Sequence, residues 1–159
     1  MGLGYNFSCK NCGTKFSAWT GSGFLYPLEN AEIVEKVKAG EYGKELQKVL
    51  LETDDAFLDS EKHLYTCSCG CWSVETAMDV YAPDVEANNS KKSEREYVFG
   101  MDLNKTYTLV WHQSYMCKCC GKPMRKIKNV NSYMRRYGLP CPSCRTRHKV
   151  YEAKVIDWD

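Results

Sequence analysis

Ten cysteines stand in a chain of 159 residues, gathered into four tight clusters: Cys9/Cys12, Cys67/Cys69/Cys71, Cys117/Cys119/Cys120 and Cys141/Cys144. A C-x₂-C turn reverses the chain with both sulfurs on one side. Two such turns facing each other supply the four deprotonated ligands that a tetrahedral zinc ion takes, at Zn–S distances of ~2.3 Å. Cys117 and Cys120 are separated from Cys141 and Cys144 by 20 residues, within the spacing that reads as a zinc site. Cys9 and Cys12 supply a second pair of ligands. Their partners come from Cys67, Cys69 and Cys71: Cys69 precedes a glycine, Cys67 is preferred as the fourth ligand, and Cys71 is the alternate. The segments FSCKNCGTKF and YMCKCCGKPM align as a short repeat, Cys9 with Cys117 and Cys12 with Cys120. Cys119 falls where the repeat has Asn11, so it is expected to be unligated. Two Zn²⁺ ions are therefore expected, with iron the weaker candidate.

The elements that must position these turns are legible in outline. Between Cys12 and Cys67 lie 54 residues, too many for a hairpin. Asn30 reads as an N-cap, Ile33, Val34 and Val37 form an apolar stripe, and Gly40 suits a helix end. A second helix is expected from about Tyr42 to Leu51, with Leu46, Val49 and Leu50 inward. Strands are expected at His63 to Cys67, Trp72 to Tyr81, Tyr107 to Tyr115 and Lys149 to Trp158. The fold class is α+β: two small antiparallel zinc-ribbon sheets, the first with a helical pair inserted at about 28–52. Domain boundaries are expected at 1–85 and 97–159, with 86–96 a linker or mobile loop.

Composition narrows the class. Apolar residues make up 43% and charged residues 26%, as in a globular chain. The first residues lack the basic start and apolar core of a signal peptide, and no stretch approaches the ~20 apolar residues of a membrane span. Position 6 is Asn6, which breaks a myristoylation motif at Gly2. A reducing cytoplasm, no membrane and no small-molecule substrate are expected, with clustered cysteines holding metal rather than one another. Catalytic patterns fail on inspection. None of His63, His112 and His148 is followed two residues later by the Glu that a zinc deaminase requires. The histidines read as surface or strand residues. Cys141-Pro142-Ser143-Cys144 resembles a thiol redox pair, but a second cysteine pair stands upstream at ribbon spacing. Four cysteine ligands leave no open position for a reacting water, so no enzyme is expected.

Charge is divided unevenly. Residues 1–90 carry a net of −7, residues 91–159 a net of +9, and no acidic residue occurs from Cys117 to Tyr151. Part of this basic excess balances the dianionic charge of a tetrathiolate zinc site. The remainder, Lys122, Arg125, Lys126, Lys128, Arg135, Arg136, Arg145 and Arg147, is interleaved with Tyr133 and Tyr137, a composition suited to phosphates and exposed bases. The expected role is a non-catalytic binding module for nucleic acid. The alternative is a protein-binding adaptor, or a regulator of a nucleic-acid enzyme.

With these cysteine units the chain resembles the zinc-ribbon superfamily and, within it, uncharacterised bacterial proteins with two ribbons, one carrying a helical insertion. The resemblance implies two structural metal sites and supplies no activity. The Cys141–Cys144 segment also resembles a rubredoxin knuckle, but Arg145 stands where glycine would follow.

Overall fold

A computed structural model describes residues 2–23, 25–84 and 107–148. The chain folds as two compact units whose segments alternate along the sequence. A cysteine unit takes Met1–Phe24, Lys62–Thr76 and Ser114–Asp159, and a helical unit takes Leu25–Glu61 and Ala77–Gln113. The expected division at 86–96 differs from this one, because each unit draws residues from both sides of it. That segment and the expected strand at Lys149 to Trp158 lie outside the described residues.

In the helical unit, α1 (Tyr26–Lys38) and α2 (Lys44–Glu52) accompany an antiparallel sheet of β3 (Phe57–Asp59), β6 (Asp79–Pro83) and β7 (Tyr107–Trp111), in the order β3-β6-β7. The helical pair thus brings its own sheet and its own core, in which Val37, Leu46, Leu50, Leu58, Met78 and Val80 are buried. Helix α1 starts before Asn30, with Pro27 in its first turn, where the missing amide hydrogen costs nothing. Asn30 is buried and accepts a hydrogen bond from Ser60 Oγ at 2.6 Å instead of capping. Gly40, at φ 83°, ends the helix as expected.

The cysteine unit is a set of turns closed by short antiparallel pairs. β1 (Leu3–Ser8) pairs with β2 (Lys15–Thr20) around Cys9–Thr14. β4 (Lys62–Thr66) pairs with β5 (Trp72–Thr76) around Cys67–Cys71. A bridge between Met116 and Pro123 closes Cys117–Lys122. β9 (Leu139–Pro140) pairs with β10 (Arg147–His148) around Cys141–Thr146. The single strand expected from Trp72 to Tyr81 is broken between β5 and β6, where Met78 adopts φ 54°.

Two features decide which turns meet. β8 (Arg125–Lys126) adds to β4, giving the order β5-β4-β8, so the Cys117 turn comes to the end of the sheet that carries the Cys67 turn. The core of Tyr5, Phe7, Ala18, Leu64, Ile127, Met134 and Leu139 joins β1 and β2 to β9 and to α3 (Val130–Tyr137). Phe7 and Phe16 stack across β1 and β2 with centroids 4.6 Å apart. Tyr5 donates from its hydroxyl to Asn131 Oδ1 at 2.7 Å. Gly4 lies under Trp19, and a Cβ there would fall 2.6 Å from the indole ring.

Candidate metal centres

The eight cysteines expected as ligands form two quartets, but not the two expected from chain order. Cys9 and Cys12 meet Cys141 and Cys144, and Cys67 and Cys69 meet Cys117 and Cys120. The pairing is nested, outer turns with outer and inner with inner. This corrects the sequential pairing of Cys9/Cys12 with Cys67/Cys69 and of Cys117/Cys120 with Cys141/Cys144. Each C-x₂-C turn is locally much like the next, so spacing cannot choose its partner. The β4–β8 pairing and the Tyr5–Leu139 core make the choice.

Each turn is held by its own backbone. The carbonyls of Cys9, Cys117 and Cys141 accept from the amides of Gly13, Gly121 and Arg145 at 2.8–2.9 Å. The amides of the same cysteines donate to Thr14, Lys122 and Thr146 at 2.8 Å. The Cys67 turn is one residue shorter: its carbonyl accepts from Gly70 at 2.9 Å and its amide donates to Cys71 at 2.8 Å. This explains the C-x-C spacing of Cys67 and Cys69. The residue after the second ligand takes a left-handed φ in every turn: Gly13 at 74°, Gly70 at 90°, Gly121 at 69° and Arg145 at 63°. Three of the four are glycine, for which this region is free of the Cβ penalty.

The quartets fit a metal. A tetrahedral ion with bonds of ~2.3 Å places its sulfurs ~3.8 Å apart. In the first quartet, Cys9 and Cys144 are 3.4 Å apart and Cys12 and Cys141 are 3.7 Å apart. In the second, Cys67–Cys120 is 3.4 Å and Cys69–Cys117 is 3.6 Å. All four sulfurs of each quartet lie within 4.8 Å of one another.

The surroundings favour thiolate at Cys12, Cys67 and Cys144 and oppose it at Cys9 and Cys120. Cys144 is lowered to about 5 by hydrogen bonds from the Asn11 side chain and then Thr146. Cys67 is lowered to about 6, first by the Cys69 amide. Cys12 is lowered by Thr14, 3.2 Å from its sulfur. Burial pushes Cys9 up to about 11. Cys120 rises to about 12: the Lys122 amide lowers it, but the sulfurs of Cys67 and Cys69 outweigh that pull. Each quartet thus pairs a thiol biased toward ionisation, Cys144 or Cys67, with one biased toward keeping its proton, Cys9 or Cys120. A metal entering either quartet should therefore displace at most three protons there, rising toward four below about pH 5 as Cys67 and Cys144 protonate. Zinc calorimetry in buffers of different ionisation heat measures this number, and four per ion near neutrality would contradict it.

Three residues near the sulfurs were not legible as such in the sequence. His148, read as a surface or strand residue, places Nε2 2.9 Å from Cys9 Sγ, and with its proton there it donates to the thiolate. Its position four residues after Cys144, the second cysteine of the partner turn, carries no signal. Cys71 and Cys119, one read as an alternate ligand and the other as unligated, stand outside both quartets and are joined as a disulfide. Of the basic and aromatic residues singled out above, Arg125, Lys126, Lys128, Tyr133, Arg136 and Tyr137 surround one open hollow of about 520 Å³. Arg145 and Arg147 line another, about 440 Å³, beside the second quartet. Lys122 and Arg135 are exposed and border neither hollow.

Fold and site together define an α+β chain with two tetra-cysteine groups able to hold metal ions. No protein family, curated protein or solved structure matches it. Among the described residues no helix is long and apolar enough to cross a membrane.

Proposed function

We propose that this protein is a non-catalytic, cytoplasmic double zinc-ribbon module that contacts nucleic acid through its cysteine unit. Each quartet would hold one structural Zn²⁺, whose chemistry there is to clamp two turns. With four thiolates per ion no coordination position remains for a substrate.

The hollow between β8 and α3 is the observation that carries the nucleic-acid reading. Arg125, Lys126, Lys128 and Arg136 bring four cations to its wall, and no acidic residue lines it. Tyr133 and Tyr137 stand with centroids 5.1 Å apart, and the Arg136 guanidinium lies 5.2 Å from the Tyr137 ring centre. Tyr137 is 48% exposed, so its ring can be reached from solvent beside the Arg136 guanidinium. Helix α3 holds this arrangement through its N-cap, where Asn129 accepts from the Ser132 amide at 2.9 Å, and through Met134, buried in the core. Cations that track phosphates beside an aromatic platform suit single-stranded nucleic acid without strong sequence preference.

Titrating a labelled single strand against the zinc-loaded protein at increasing salt tests this reading. Arg125→Ala and Arg136→Ala should each weaken binding and lower the log–log salt slope by about 1. Tyr137→Ala should weaken it by roughly 1–3 kcal/mol and leave the slope nearly unchanged. No affinity for single- or double-stranded DNA or RNA at ~50 mM salt ends the proposal. The second reading is a protein-binding adaptor. It is favoured by β7 in the helical unit, where Leu109 and Val110 are 48% and 46% exposed on a strand at the sheet's edge. Binding that survives salt and is lost on Leu109→Lys would support it instead.

A further inference from the structure

We propose that Cys71 and Cys119 are a reversible redox modification site, a dithiol that hydrogen peroxide closes to a disulfide across the two turns of the second quartet. Eight of the ten cysteines are taken by the two quartets, and the remaining two, separated by 48 positions, are brought into bonding contact. Each follows or precedes a ligand: Cys71 stands two residues after Cys69, and Cys119 one before Cys120. The Cys71–Cys119 bond therefore spans the same gap as a metal ion held by Cys67, Cys69, Cys117 and Cys120. It ties the two turns without using a ligand.

The second support is Arg145. It occupies the left-handed position that glycine fills in the other three turns, at φ 63°. A non-glycine residue there is strained by about 1 kcal/mol or more, and strain of this kind is kept where the side chain is needed. What this side chain reaches is the pair: Nη1 is 3.1 Å from Cys71 Sγ and Nη2 is 3.7 Å from Cys119 Sγ. Cys71, Cys117 and Cys119 also lie within 4.8 Å of one another, but Cys117 belongs to the second quartet, which leaves only two sulfurs for a third metal.

The third support is access. The hollow of about 440 Å³ opens onto Cys71, Cys119 and Arg145, and it admits a small oxidant. Cys119 is exposed and Cys71 is 8% exposed, which sets the order of events. The Cys119 sulfur attacks one peroxide oxygen and the O–O bond breaks, giving a sulfenic acid and one water. The Cys71 sulfur then displaces the hydroxyl from Cys119. The S–S bond forms, the S–O bond breaks, and the Cys71 proton leaves in a second water. Two thiols lose two electrons and one peroxide becomes two waters. A small dithiol returns the pair to the reduced state by exchange.

The experiment uses the full, zinc-loaded chain, reduced with dithiothreitol, desalted and exposed to hydrogen peroxide. Native mass spectrometry with peptide mapping should show one disulfide, joining Cys71 to Cys119, formed with both ions retained and reversed by dithiothreitol. Chelator should then extract the second-quartet ion at least about fivefold more slowly from the oxidised chain, because the cross-link keeps the two turns together. Cys71→Ser should leave a sulfenic acid on Cys119 that dimedone traps. Arg145→Gly, which removes the backbone strain and should fold, should close the pair several-fold more slowly. Early cross-links through any quartet cysteine, a disulfide that dithiothreitol cannot open with metal bound, or a third zinc ion on the reduced chain would each overturn the proposal. An Arg145→Gly chain that closes at the wild-type rate would remove Arg145 from the site.

Discussion

Cys12→Ser combined with Cys69→Ser should cost the protein both metal ions, whereas Cys12→Ser combined with Cys141→Ser should cost only one. The first pair of substitutions strikes both quartets and the second strikes one quartet twice. A three-thiolate remnant holds zinc far less tightly, so a chelator concentration that spares the wild type should separate the classes cleanly. Metal counting by native mass spectrometry reads the result directly. The contrast is large because it distinguishes zero ions from one. It also discriminates between architectures: ribbons built in chain order would give the reverse, with Cys12→Ser and Cys69→Ser removing a single ion. Cys120→Ser should lower the count by one, while Cys119→Ser should leave it at two, since Cys119 lies outside both quartets.

Complete removal of metal should melt the cysteine unit and spare the helical one. Structural zinc contributes roughly 10–16 kcal/mol of apparent binding free energy. A whole domain is stable by only about 5–15 kcal/mol. The loss of two ions therefore exceeds what the small core around Tyr5, Leu64 and Leu139 can supply. The strands of this unit are short, β9 and β10 having two residues each, and the cysteine turns they close meet chiefly through their sulfurs. The helical unit contains no cysteine and has its own core of Val37, Leu46, Leu50, Leu58, Met78 and Val80. Hydrogen exchange after chelation should show the amides of β1, β2 and β4 losing protection while those of α1 and α2 keep theirs. The Trp72 indole, which donates to the Pro140 carbonyl at 2.8 Å, should change its fluorescence in the same step. Protection retained in β1 and β4 without metal would mean that packing alone holds this unit.

The local features of the chain were legible from residue type and spacing because each rests on neighbours in sequence. Cys9-x₂-Cys12-Gly13 and Cys117-x₂-Cys120-Gly121 are turns wherever they occur, since two sulfurs at that spacing and a left-handed glycine need nothing beyond their own backbone hydrogen bonds. The stripe of Leu46 and Leu50 and the stop at Gly40 mark helices for the same reason. Asn30 shows the limit of such reading: its side chain is as good a cap as any, but burial against Ser60 claimed it and α1 began earlier. Cys71, Cys119 and His148 could not be placed, because each partner lies far along the chain: 48 positions separate the disulfide pair, and Cys9 is 139 from His148. What the sequence by itself determined was that four cysteine turns exist, together with the cysteines in them that could hold a metal, Cys71 staying open as the alternate to Cys67. Which turn meets which was decided only in the tertiary structure. The turns are nearly interchangeable locally, and the choice fell to a strand pairing, β4 with β8, and a buried core that join distant segments of the cysteine unit.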